Sequence, residues 1–93
     1  MTDKVRARVI ITGRVQGVFF RMETKRAADR IGVCGWVRNR PEGTVEAVFE
    51  GTKAKVEDIL AWCRDGSPLA RVERVDTTWE PFADEFKSFA VTF

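Results

Sequence analysis

Apolar and polar residues alternate in the first part of the chain. Gly13 ends the alternation, which covers residues 5–12. A period of two residues is that of a β-strand with one buried face, so a strand is predicted here. The residues on its apolar face are Val5, Ala7, Val9 and Ile11.

The apolar period then lengthens to that of an α-helix. Gly32 follows the first helical run, where a left-handed C-terminal cap is expected. A second run begins after Thr52, a typical N-cap, and is stopped by Gly66. Two helices are therefore predicted. Their apolar positions are Phe20, Thr24, Ala27, Ala28 and Ile31 in the first, and Val56, Ile59, Leu60 and Cys63 in the second.

Three further segments have the pattern of strands: Cys34–Asn39, 44–50 and 72–79. Residues 40–43 (Arg-Pro-Glu-Gly) form a hairpin connection, and alternation at the C-terminus predicts a short extra strand. The order β-α-β-β-α-β predicts an α+β, ferredoxin-like sandwich with an antiparallel or mixed sheet of four to five strands and two helices on one face. In that topology the first two strands are parallel, with the third between them. The loop after Thr12 and the residues near Asn39 are therefore expected to meet at one edge.

The composition limits what the chain can do. Its 93 residues, 44% of them hydrophobic, can supply one core, so residues 1–93 are expected to form a single domain, and this size favours a monomer. A net charge of +2 predicts no nucleic-acid partner. Residues 1–4 are polar and the sequence has no long apolar run, so a soluble protein that does not bind membranes is predicted. Cys34 and Cys63 are widely separated, which predicts the reducing environment of the cytoplasm.

Histidine is absent from the sequence. The commonest general base, the partner of a serine nucleophile and the usual zinc ligand are therefore all missing. Any chemistry in this chain has to proceed without them.

The segment 13–21, Gly-Arg-Val-Gln-Gly-Val-Phe-Phe-Arg, joins the first strand to the first helix. Its two glycines allow successive backbone amides to point inward, and the positive end of the helix follows. Arg21 adds a planar fork that matches two phosphate oxygens. The segment therefore favours a phosphate site, although a plain turn with a solvated arginine has the same residues. It lacks the Gly-Lys-Ser/Thr ending of nucleotide-binding loops.

Two motifs together carry a family resemblance. Residues 13–21 and 35–45 (Gly-Trp-Val-Arg-Asn-Arg-Pro-Glu-Gly-Thr-Val) resemble the two signature motifs of the acylphosphatase family, and the likeness spans nearly the whole chain, with Glu42 where aspartate is frequent. The resemblance implies hydrolysis of acyl phosphates to a carboxylate and inorganic phosphate, without cofactor or metal. It also implies that Arg21 binds phosphate and Asn39 positions the attacking water. The implied backbone cradle consists of Val15, Gln16, Gly17, Val18, Phe19 and Phe20.

The chemistry of such a reaction suits these residues. The leaving carboxylate has a conjugate acid of pKa near ~4, so it departs without a general acid. The carboxamide of Asn39 is a weak base, but it can accept from and donate to a water in line with the scissile bond. A phosphate oxygen of the substrate can take the proton.

Three alternatives remain open from the sequence. The first is a binding or regulatory module that keeps the anion site without physiological turnover. The second is a thiolate phosphatase, because Cys34 and Arg40 have Cys-x5-Arg spacing, although a hairpin rather than a helix follows. The third is RNA binding, which is disfavoured because the outward positions of the third strand are acidic or small. These positions are Thr44, Glu46, Val48 and Glu50.

Overall fold

The computed structural model describes residues 3–93 and contains seven elements. Met1 and Thr2, part of the polar N-terminal segment, lie outside the described residues. The predicted order is confirmed, and so is the short final strand. The elements are β1 (Lys4–Arg14), α1 (Phe20–Ile31), β2 (Cys34–Asn39), β3 (Val45–Thr52), α2 (Lys53–Asp65), β4 (Arg71–Glu80) and β5 (Phe89–Val91).

The five strands form one mixed sheet in the order β4-β1-β3-β2-β5. Strand β3 is antiparallel to both β1 and β2, so these two are parallel to each other, and β5 is parallel to β2. Val45 of β3 pairs with Ile11 on one side and with Asn39 on the other. The end of β1 and the end of β2 therefore lie at the same edge, about 10 Å apart across two strand spacings.

One face of the sheet is covered by the helices, with α1 against β2 and β5 and α2 against β1, β3 and β4. The predicted inward face of β1 is confirmed, since Ala7, Val9 and Ile11 are fully buried. Both predicted helix ends are also confirmed. Gly32 is left-handed and its amide donates to the Ala28 carbonyl at 2.8 Å, while the Thr52 hydroxyl accepts from the first turn of α2.

Strand β1 extends further than the sequence suggested. Gly13 does not end it, because the pairing with β4 continues to Arg14 after a register shift between Thr12 and Gly13. Gly13 has φ +135°, and a Cβ atom there would lie 2.1 Å from the Arg71 carbonyl oxygen. Glycine therefore permits a β-bulge at which β1 and β4 lie in close contact. The bulge changes the direction of the chain as it enters the loop.

The outer face of β3 is buried, contrary to the expectation that it faces solvent. The side chains of Glu46 and Glu50 lie on the face away from the helices, yet they are only 5% and 3% exposed. Arg8 Nη1 donates to Glu46 at 2.7 Å and Arg38 Nε donates to it at 2.8 Å. Arginines of the two neighbouring strands thus cover the centre of this face. The aromatic ring on this part of the face, Trp36, lies 5.8 Å from the guanidinium carbon of Arg8 and 5.4 Å from that of Arg38, so these arginines rather than RNA bases contact it.

The segment between β4 and β5 closes the same face. The carboxylate of Glu50 accepts hydrogen bonds from the backbone amides of Ala83 at 2.8 Å and Glu85 at 3.3 Å. It also accepts one from an Arg6 N–H. Burial would lower the pKa of Arg6, but hydrogen bonds to Glu85, Glu80 and Glu50 outweigh this effect and raise it. The buried charges are therefore paired, as burial requires.

These ion pairs predict an acid-sensitive contribution to stability. Burial alone would raise the pKa of Glu46, but hydrogen bonds from Arg38 and Arg8 outweigh burial and hold it below its usual range. A carboxylate with a lowered folded-state pKa stabilises the fold above its unfolded-state pKa of about 4.3, and this stability is lost as the pH falls through the folded-state pKa. We expect Glu46→Gln to flatten the decline of the unfolding free energy below about pH 4.5.

Urea denaturation between pH 3 and pH 7 measures this effect. The matched control is Glu57→Gln, which changes an exposed glutamate of α2. It should keep the pH dependence of the parent protein. Equal slopes for the parent and Glu46→Gln would contradict the assigned role of Glu46.

Candidate active site

A cavity of about 520 Å³ opens where the loop between β1 and α1 meets the end of β2. The sheet topology creates this meeting point, since β1 and β2 end at the same edge. Six of the residues singled out in the sequence line the cavity together: Val15, Gly17, Phe19, Phe20, Arg21 and Asn39.

The loop backbone has the geometry of an anion site. Gly17 has φ +72° and Phe19 has φ +61°, whereas Val18 between them does not have a positive φ, so the sign of φ alternates along the loop. Such alternation turns successive N–H groups to one side of the chain. Within the part of the chain that the structure describes, no amide from Gln16 to Phe20 donates a hydrogen bond, and no side chain caps α1. These N–H groups and the positive end of α1 are therefore available to an anion.

Gln16 and Val18 do not line this cavity and instead anchor the loop. The Gln16 side-chain amide donates to the carbonyl oxygens of Arg40 and Thr44, both at 2.8 Å. Val18 is buried, and its carbonyl accepts from Ser67 Oγ at 3.0 Å. The Gln16 bonds tie the loop to the β2–β3 hairpin, which also carries Asn39. They therefore fix where the loop lies relative to Asn39.

Arg21 lies in the first turn of α1 and is half-buried. Its Nη1 donates to the Thr92 carbonyl at 3.2 Å, and its guanidinium carbon lies 4.8 Å from the centre of the Phe93 ring. A guanidinium has five N–H donors. Only this one bond is made to residues 3–93, so the other donors remain for an anion in the cavity.

Asn39, the last residue of β2, has an unpaired acceptor. Its Oδ1 atom is buried and makes no hydrogen bond within residues 3–93. A buried acceptor left unpaired costs about 1–3 kcal/mol. A polar molecule in the cavity would satisfy this acceptor.

The cavity also contains residues that the sequence did not single out, namely Met22, Lys25, Val91 and Phe93. Lys25 follows Arg21 by four residues, a helical spacing that could have placed it on the same face of α1. Its ammonium group donates to Asp29 at 2.9 Å and to the Phe89 carbonyl at 3.1 Å. No local signal identifies Phe93, because its position depends on the pairing of β5 with β2.

The structure argues against a thiolate phosphatase. Cys34 begins β2, whereas Arg40 follows its end, and an extended strand of this length separates them by about 20 Å. The two side chains cannot contact one phosphate. The other thiol, Cys63, is fully buried, and burial raises its pKa to about 12. In residues 3–93 no group of three or more His, Cys, Asp or Glu side chains could hold a metal ion.

The described part of the chain contains no helix with the length and apolar character needed to span a membrane.

Comparisons with known proteins agree with this geometry. The sequence model of the family described as Acylphosphatase matches residues 7–91. A protein named acylphosphatase from Pelotomaculum thermopropionicum is 47% identical over 91 residues, which cover 98% of this chain and 99% of the relative. One from Syntrophobacter fumaroxidans is 54% identical over 91 residues, with 98% and 94% coverage.

Solved structures show the same likeness. The crystal structure of acylphosphatase from Bacillus subtilis superposes with a TM-score of 0.92 at 31% identity, covering 96% of this chain and 99% of that one. Fold and sequence thus point to the same family over nearly the full length. The chain therefore belongs to the acylphosphatase family and hydrolyses the carboxyl-phosphate bond of acyl phosphates, releasing a carboxylate and inorganic phosphate.

Proposed function

We propose that the backbone cradle and Arg21 hold the phosphoryl group while Asn39 positions the attacking water. The cradle consists of the amides of Val15, Gln16, Gly17, Val18, Phe19 and Phe20. One observation carries the proposal: the cavity brings unpaired loop amides, a guanidinium with free donors and an unpaired buried acceptor together. The amides and the guanidinium bind an anion, and the Asn39 acceptor binds a hydrogen-bond donor such as water.

The donors act on the charge that the phosphoryl group carries during transfer. Hydrogen bonds from charged donors to a phosphate contribute roughly 1.5–3 kcal/mol each. Because the loop and the start of α1 are held in place, these dipoles need no reorganisation as the reaction proceeds. Stabilisation of the equatorial oxygens in this way is the main requirement of phosphoryl transfer.

Asn39 supplies orientation rather than proton abstraction. Its Oδ1 accepts a hydrogen bond from one O–H of the water and directs the water oxygen toward phosphorus, opposite the acyl oxygen. The water oxygen forms a bond to phosphorus as the bond from phosphorus to the acyl oxygen breaks. The carboxylate leaves with the electron pair and, with a conjugate acid of pKa near ~4, needs no proton. The water proton passes to a phosphate oxygen.

We further propose that the chain acts as a single domain over residues 1–93, as a monomer in the cytoplasm, and without a nucleic-acid partner. The family match over residues 7–91 supports the single domain. The free Cys34 and Cys63 are consistent with a reducing compartment. The outer sheet face, closed by ion pairs of Glu46 and Glu50, supports the absence of RNA binding.

Steady-state assays with benzoyl phosphate and phenyl phosphate test the proposal. We expect rapid cleavage of the anhydride, unchanged by a chelator and by Cys34→Ser, and inhibited competitively by inorganic phosphate. Phenyl phosphate should be cleaved far more slowly, because phenolate, with a pKa near ~10, leaves poorly without a general acid. Phosphate binding without turnover would instead indicate a binding module. Monoester cleavage that requires Cys34 would also overturn the proposal.

A further inference from the structure

Exposed apolar side chains are concentrated beside the phosphate cavity. In residues 3–93 the large apolar side chains that are at least half exposed are Phe19, Met22, Leu69, Trp79 and Phe93. All but Trp79 line the main cavity or the groove next to it. We call Phe19, Met22, Leu69 and Phe93 the apolar rim.

The apolar rim continues from the cavity into a second groove. Phe19 and Met22 line both the main cavity and a neighbouring groove of about 350 Å³, and Leu69 lines the groove. Because Arg21 lines the cavity and not the groove, this apolar surface leads away from Arg21. A group attached to a phosphate in the cradle would lie along it.

Neither burial in the core nor a backbone conformation that suits a bulky residue explains why a phenylalanine occupies position 19. Phe19 has φ +61° and ψ +22°, a left-handed conformation that favours glycine and asparagine over bulky residues. The residue is 65% exposed, so packing in the core does not stabilise it. Strained residues of this kind occur at ligand sites. A ligand that packs on the ring accounts for the presence of a large exposed aromatic side chain at this position.

Charge in the cavity favours an uncharged acyl group. Lys25 is the lysine that lines the cavity, and its ammonium group is engaged by Asp29 and the Phe89 carbonyl. In residues 3–93 no other lysine and no second arginine lines this cavity, and Arg26, which lines the neighbouring groove, is paired with Glu23 at 3.0 Å. A second carboxylate on the acyl group would therefore have no free cation to pair with there.

We propose that the apolar rim binds the acyl group, so that the enzyme prefers acyl phosphates with an extended apolar acyl chain over acetyl phosphate. This inference depends on the proposed function, because the cradle fixes where the acyl group starts. The acyl chain packs on Phe19 and Met22 and points toward Leu69. Phe93 borders it on the side of Arg21.

The ratio of kcat/KM for hexanoyl phosphate to that for acetyl phosphate measures this preference. Both leaving groups are simple alkyl carboxylates of similar basicity, so the ratio reports on binding of the chain. Full burial of one methylene raises kcat/KM by about fourfold, and contact with an open surface that covers one side of the chain raises it by about twofold per methylene. Four additional methylenes at twofold each then give a ratio of about sixteen.

Three variants locate the preference. We expect Met22→Gln, which keeps length and helix propensity, to lower the ratio at least about threefold, and Leu69→Gln to lower it by a smaller factor. Phe19→Asn, which suits the left-handed backbone, should also lower it. Trp79→Gln removes an equally exposed apolar side chain outside both cavities and should leave the ratio unchanged.

The outcomes separate this inference from the proposed function. A parent ratio near one, or a ratio that Met22→Gln and Phe19→Asn leave intact, would overturn the role of the apolar rim while the phosphate site stands. Arg21→Ala should lower kcat/KM for both substrates by the same factor. If that variant is fully active, the phosphate site is wrong, whatever the chain-length ratio.

Discussion

Replacing Arg21 with alanine is expected to lower kcat/KM for acetyl phosphate by about a thousandfold. The guanidinium contributes two charge-assisted bonds of roughly 1.5–3 kcal/mol each, and every 1.36 kcal/mol is a factor of ten. The fold should survive, because the side chain makes one hydrogen bond, to the Thr92 carbonyl, and packs on the Phe93 ring. Steady-state kinetics and the inhibition constant of inorganic phosphate measure the effect.

Arg30→Ala is the matched control. Arg30 belongs to the same helix, is exposed and lines neither the cavity nor the groove. It should retain the parent kcat/KM. If Arg21→Ala loses less than about fivefold, the guanidinium does not bind the phosphoryl group.

Replacing Asn39 with alanine is expected to lower kcat by about a hundredfold or more, the size of effect seen when one oriented hydrogen-bonding group is removed from an active site. The inhibition constant of inorganic phosphate should change by less than about threefold, because the cradle and Arg21 remain. This separation of turnover from anion binding distinguishes a water-positioning residue from a phosphate ligand.

Glu42→Gln is the control for Asn39. Glu42 lies in the same hairpin, forms an exposed ion pair with Arg40 and does not line the cavity. It should behave as the parent protein. A carboxylate whose removal abolishes turnover, together with an active Asn39→Ala enzyme, would assign the water to another residue.

Topology explains why the two separated motifs could be placed together from the sequence. The alternation before Gly13 and the strand that ends at Asn39 predict parallel neighbours of a central strand. The structure confirms this arrangement, since Ile11 and Asn39 both pair with Val45. Caps such as Gly32 are local features, so they too are readable from a single sequence.

Burial on the outer face could not be predicted in the same way. A period of two tells which side of the sheet a residue faces, but not how deeply it is covered. Glu46 is buried because Arg8 and Arg38 come from two different strands, and Glu50 because the chain after β4 returns across the sheet. These contacts join residues far apart in sequence.

The details that shape the substrate site are equally non-local. The left-handed Phe19 belongs to a loop that is anchored by distant residues, through Gln16 to the hairpin and through Val18 to Ser67. Phe93 reaches the cavity because β5 pairs with β2. Residue type alone indicates neither position. The residues of the proposed acyl site can therefore be identified from the structure but not from the sequence.

Hydrolysis of acetyl phosphate in water enriched in oxygen-18 shows directly where the water attacks. A phosphoryl group held by the cradle and Arg21, with water oriented by Asn39, predicts that the label enters inorganic phosphate and that none enters acetate. Label in acetate would mean attack at the carbonyl carbon. That result would contradict the assignment of these residues to phosphoryl transfer.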